Sequence, residues 1–114
     1  MNISYDGIGQ TVATFNCAED IAAGRPVKLS DNASVAECAD GNAFNGVTAA
    51  ASDGGIVPVI LRGFVKVPYS GTAPTAGNGI VAADGKGGIK TSSSGRSLTI
   101  VDVDKTGSTA VLYI

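Results

Sequence analysis

The chain contains no histidine, so any catalytic reading must be assembled from carboxylates, lysines, serines and cysteines. A serine nucleophile needs a neighbouring base to take its proton. The run "KTSSSGR", residues 90–96, sets Lys90 close to Ser92, Ser93 and Ser94. Serines also gather in turns, where their hydroxyls bond the local backbone, and nothing in the run singles out one Ser–Lys pair. A second candidate is Asp102 with Asp104. They alternate with Val101 and Val103, so both carboxylates project from one face of a strand. Two carboxylates on one face could form half of an acid–base pair or a metal site. An ordinary strand with a polar face over a core face gives the same pattern. The following "DVDKTGS" lacks the run of acidic ligands that a calcium loop supplies.

Glycine-rich stretches raise the question of phosphate binding. "DGIGQ" (6–10), "GNG" and "GKGG" match neither GxxxxGK[ST] nor GxGxxG between a strand and a helix. Lys86, within "ADGKGG", is expected at a hairpin tip. Lipoyl and biotinyl carrier domains also present a lysine on a hairpin, but here glycines flank it and the acidic or methionine neighbour is missing. Cys17 and Cys38 occur without any CxxC motif, which argues against zinc. Both lie among apolar or small residues, where a reduced, buried cysteine acts as a small hydrophobe. The sequence therefore supplies no catalytic residue, no cofactor-binding residue and no metal ligand, and no cofactor is expected.

Composition narrows the class further. One domain is the expectation for 114 residues. An apolar fraction of 44% with only 16% charged residues argues against disorder. The net charge is −2 without a basic cluster, so a nucleic-acid partner is not expected. The N-terminal "MNISYDGIGQ" has neither the basic region nor the apolar run of a signal peptide. No stretch reaches bilayer length, so no membrane partner is expected either, and synthesis in the cytoplasm is.

The elements that would position these residues are strands. Alternating or apolar runs occur at 11–17, 25–30, 34–38, 46–51, 56–61, 64–69, 79–84, 88–92, 97–104 and 109–114. Turn sequences such as "SDNAS", "ADGN", "SDGG", "ADGKGG" and "DKTGS" join them, with Asp-Gly pairs supplying the positive φ of tight turns. Pro58 lacks a ladder N–H, so it predicts an edge, a bulge or a strand start. Only "AEDIAAG" (18–24) has helical character, with Gly24 as its cap; a loop fits it equally well. "SGTAPTAGNG" (70–79) reads as the longest loop. These features predict an N-terminal arm at 1–11 and a single β domain at 12–114. The fold class is all-β: a small single-domain β-barrel or tulip-like sandwich with short hairpins and at most one short helix.

A pattern spread over roughly residues 20 to 114 carries one coherent signal. It runs "AAGRPVKLSDN", "FNGVTAAASDGG", "VPVILRGFVKVP", "GIVAADGKGGIKTS" and "TAVLYI". This resembles the small decoration, or cement, proteins of tailed-bacteriophage capsids. The resemblance implies a virion structural protein on the capsid exterior, bound to the major capsid protein lattice as a homotrimer and stabilising the shell. It also implies that "VPVILRGFVKV" is a central hairpin turning at Arg62-Gly63, with its surplus apolar face buried against a neighbouring subunit. The arm at 1–11 could then add a strand to a neighbour's sheet edge. The rival readings are a β-barrel carrier or a ligand- or glycan-binding module, and a hydrolase using Asp102 and Asp104.

Overall fold

The computed structural model describes residues 10–114. Ten strands build it: β1 (Thr11–Cys17), β2 (Pro26–Asp31), β3 (Ser34–Glu37), β4 (Gly46–Thr48), β5 (Ile56–Arg62), β6 (Phe64–Pro68), β7 (Gly77–Ala83), β8 (Ile89–Thr91), β9 (Arg96–Asp104) and β10 (Thr109–Tyr113). Each coincides with one of the alternating or apolar runs of the sequence, and no helix occurs among the described residues. The expected arm lies, up to residue 9, outside the described residues, and Thr11 already belongs to β1.

The strands divide into two halves. β1, β3, β2, β4 and β5 close into a five-stranded barrel. β1 runs antiparallel to β5, placing Val12 opposite Ile60, Thr14 opposite Pro58 and Asn16 opposite Ile56. The seam is a short parallel contact, Asn16 with Ser34 and Cys17 with Val35. Alternation sends every second side chain inward, and Cys17, Ile21, Val27, Val35, Val57 and Val59 fill the interior. A five-stranded barrel is narrow, which explains why its core is valine rather than aromatic.

The other half is a sheet in the order β6-β10-β9-β7-β8. Its two outer strands meet at one end through a parallel bridge between Tyr69 and Ile89, where the Ser70 N–H donates to the Ile89 carbonyl at 3.0 Å. Its core is larger, with Phe44, Ile89, Ile100 and Leu112 all buried. The strand β4 joins the halves. Val47 and Ile60, paired on the outer wall of the barrel, point into this second core, while Thr48 and Val59 face the barrel interior. Gly46 permits the close approach, since a Cβ there would lie 2.6 Å from both the Ile60 carbonyl and Val59 Cγ1.

Two sequence expectations change here, and one left open is decided. The stretch 57–67 is not a hairpin. β5 belongs to the barrel and β6 to the sheet, and the chain crosses between them at Gly63, where φ is +128°. Gly63 and Ile114 then exchange both backbone hydrogen bonds, at 3.3 and 3.0 Å. The apolar surplus is consumed partly within the chain, since Ile60 is buried against the second half, while Ile56 on the same outer face stays exposed. For residues 18–24, where helix and loop fitted the sequence equally well, the structure has an irregular loop. Their polar groups are claimed across the barrel mouth: Ile21 N–H donates to Ser52 Oγ at 2.8 Å, and Thr48 Oγ1 donates to the Ala22 carbonyl at 2.7 Å. Those bonds, with Ile21 buried in the barrel, outweigh the weak helix propensity of one or two turns.

Pro58 lies inside β5, opposite Thr14. Its carbonyl accepts from Ala49 N–H at 2.9 Å, just past the end of β4 at Thr48. The nitrogen points to the same side as the carbonyl, so the missing donor falls where the neighbouring strand has already left the sheet.

Candidate functional site

Among the described residues, polar groups converge on one carboxylate at the β7–β8 connection, residues 84–88. The Asp84 carboxylate accepts from the N–H of Lys86 at 2.7 Å and of Gly88 at 3.0 Å through Oδ1, and from Ser70 Oγ at 3.0 Å through Oδ2. Burial by itself would raise its pKa. The two N–H donors, the Ser70 hydroxyl and the Lys86 charge more than offset that and hold the carboxyl below its ordinary value. Gly85 and Gly87 both adopt positive φ, +74° and +88°, the conformation this tight path requires. Lys86 is exposed at the tip, as the sequence predicts, but its backbone is fixed by Asp84 and its carbonyl accepts from Arg25 Nη1 at 3.4 Å. The cleft beneath, bordered by Arg25, Glu37, Cys38 and Lys86, has a volume near 140 Å³, below the roughly 300 Å³ at which ligand pockets begin. Asp84 thus shapes a loop. The sequence alone marks "ADGKGG" as a turn; the signal for the carboxylate's role is an Asp followed at two and four positions by amides it can cap.

The other candidates separate. Asp102 and Asp104 are exposed on the outer face of β9. Asp104 Oδ1 accepts from Thr106 and Gly107 N–H at 3.0 and 3.1 Å, closing the turn into β10. Lys90 forms an ion pair with Asp40 at 2.6 Å. Ser92 Oγ donates to the Ser94 carbonyl and accepts its N–H, which makes this stretch the solvated turn that its composition suggests. Cys17 is buried in the barrel and Cys38 is half-buried, and both are free thiols. Burial raises the Cys38 thiol to about 11, the Lys28 charge lowering it and Glu37 raising it, so it is protonated and unreactive at neutral pH. Among the described residues no group of three or more cysteines, aspartates or glutamates could hold a metal ion. No helix among them is long and apolar enough to cross a membrane.

What the fold brings together is surface. The loop 38–45 docks the halves: Gly41 N–H donates to the Ala83 carbonyl and Ala83 N–H to the Asn42 carbonyl, both at 2.9 Å. Arg96 lies 5.6 Å above the Phe44 ring and donates to the Asn45 carbonyl at 3.0 Å. Around this rigid body several large apolar side chains remain in water. Val12 (47% exposed) and Ile56 (48%) sit on the outer β1–β5 face with Pro58 and Thr14. Ile80 and Tyr113 (43%) sit on the outer face of the sheet.

No protein-family model matches the sequence, and no curated protein matches it. The fold does have a solved counterpart. The head fiber gp8.5 N base of bacteriophage phi29 superimposes with a TM-score of 0.65 at 15% sequence identity, over 92% of this chain and 93% of that one. At that identity the likeness is one of fold.

Proposed function

We propose that this chain is a bacteriophage virion structural protein that binds the exterior of the assembled capsid as a homotrimer and stabilises the shell. The fold likeness to the phi29 head fiber base carries this reading, because it spans nearly the whole of both chains. Two features of the molecule support it. Several polar residues are spent on shape, Asp84 and Asp104 capping loops and Lys90 pairing with Asp40. The neutral, partly apolar β1–β5 face, with Val12, Ile56 and Pro58, suits contact with a protein lattice, since interface cores are depleted of charge. Repetition supplies the strength: three linked copies convert modest contacts into firm attachment through effective concentration. The proposed place of action is the capsid surface, after synthesis in the host cytoplasm, and the proposed partners are other copies and the major capsid protein.

The test is co-sedimentation with emptied capsids of the cognate phage, alongside light scattering of the free protein. Saturable binding to shells, with little to unassembled capsid subunits, and a mass three times that of the 11.3 kDa chain are expected. Absence of binding at saturating protein would discard the proposal.

A further inference from the structure

We infer that the outer face of the second sheet, centred on Tyr113, is a binding platform for a neutral oligosaccharide. Strand register sets out the site. Tyr113 on β10 lies opposite Phe64 on β6 and opposite Thr99 on β9, and Thr99 lies opposite Asn78 on β7. Directly paired residues in antiparallel strands share a face, so these four form one row across four strands. Three strand spacings make the row roughly 14 Å long, the reach of a short glycan. Ser97 and Ile80, paired with each other, form the next rung beside it.

The chemistry of the row is that of sugar recognition. A pyranose offers an apolar C–H face and a rim of hydroxyls, and a site for it needs an exposed ring beside neutral donors and acceptors. Tyr113 is 43% exposed, and Phe64 supports it with ring centroids 5.0 Å apart at 55°. Only six aromatic residues occur in the chain, so two of them in contact on an outer face is a concentrated use of a scarce type. Asn78, Ser97 and Thr99 are all exposed. Their side chains make no hydrogen bond to another described residue, which leaves amide and hydroxyl groups available beside the ring. The row contains no formal charge; Lys66 and Asp102 bound it on one side, both paired with Val111. A neutral window of this kind fits an uncharged glycan better than an anionic one. Gly79 faces inward, where a Cβ would lie 2.6 Å from Ile100 Cδ1, so β7 packs closely against the core beneath Asn78 and Ile80. The face is distinct from the β1–β5 face and does not require the capsid reading.

The experiment is an NMR amide titration of the full chain with maltoheptaose, cellohexaose and chitohexaose at millimolar concentrations. At least one is expected to shift Asn78, Ser97, Thr99 and Tyr113 together. Tyr113→Ala should weaken that binding about tenfold or more, while Tyr113→Phe stays within about twofold, because the ring face carries the contact. Asn78→Ala and Thr99→Ala should each cost about three- to tenfold. Unchanged thermal midpoints will show that these exposed positions leave the fold intact. Absence of shifts with all three sugars overturns the inference, as do shifts elsewhere on the molecule or binding indifferent to Tyr113→Ala. A change of oligomeric state in Tyr113→Ala without any sugar binding also overturns it, and makes the face a contact between copies.

Discussion

The barrel and the sheet solve the same problem differently. In the barrel, closure leaves no strand edge, and a narrow interior is filled by short β-branched side chains such as Val27, Val57 and Val59. The sheet stays open and gains a larger core, with Phe44, Ile89 and Leu112 buried, but has edges to manage. β6 ends in Pro68, β8 has three residues, and the Tyr69–Ile89 bridge ties the two together. The sheet also keeps a broad outer face, whereas much of the barrel's outer wall is taken up by the sheet through Val47 and Ile60. Closure thus favours rigidity, and openness favours presentation.

The largest test of this division concerns its two cores. Leu112→Ala in the sheet should cost about 3 kcal/mol, and Val57→Ala in the barrel about 2. In urea, each should lower a single shared transition, since Val47 and Ile60 of the barrel pack into the sheet's core and the chain crosses over at Gly63. Their effects should add within about 0.5 kcal/mol because the side chains occupy separate clusters. Two transitions, each moved by only one variant, would break the picture of one cooperative body. Gly46→Ala probes the β4–β5 contact within the barrel, from which Val47 and Ile60 reach the sheet's core. Its Cβ would strike the Ile60 carbonyl and Val59 Cγ1, and a loss of about 2 kcal/mol is expected. A neutral result would mean that β4 and β5 have slack between them.

Acid should distinguish the halves next. The folded pKa of Asp84 lies below its ordinary value, so the stabilisation it gives is fully present above about pH 4 and is lost as pH falls through the lowered folded value. Chemical denaturation across that range should show an acid-side decline that Asp84→Asn flattens, with about 1 kcal/mol lost near neutrality. An identical decline in the variant would locate the acid sensitivity elsewhere. The smallest effects belong to exposed tips: Lys86→Ala and Ser93→Ala should each stay within about 0.5 kcal/mol and leave the proposed shell binding unchanged. Loss of binding by folded Lys86→Ala would contradict a purely structural role for that hairpin.

Local and long-range features differ in how legible they are in the sequence. Strand positions follow from alternation and turn residues, which are local, so the pattern of "TVATFNC" alone places β1 at 11–17. Partnership between strands is not local. Nothing in "VILRGFV" distinguishes a hairpin from a crossing between two sheets; the difference is made by Ile114, which bonds Gly63 from the far end of the chain. The same holds for 18–24, whose conformation is decided by Thr48 and Ser52. The row at Tyr113 is hidden for the same reason, since Phe64, Asn78 and Thr99 become neighbours only through register.

One irregularity in β9 has a further consequence. Leu112 lies opposite Ile100 and Val111 opposite Asp102, so Val101 is an extra residue. Regular pairing past Ile100 would set Asp102 against Ala110, which is buried, and would turn Asp104 inward as well. The bulge therefore acts as a frameshift written into the strand: two negative charges reject the uninterrupted alignment, and the chain can zip β9 to β10 in one reading frame only.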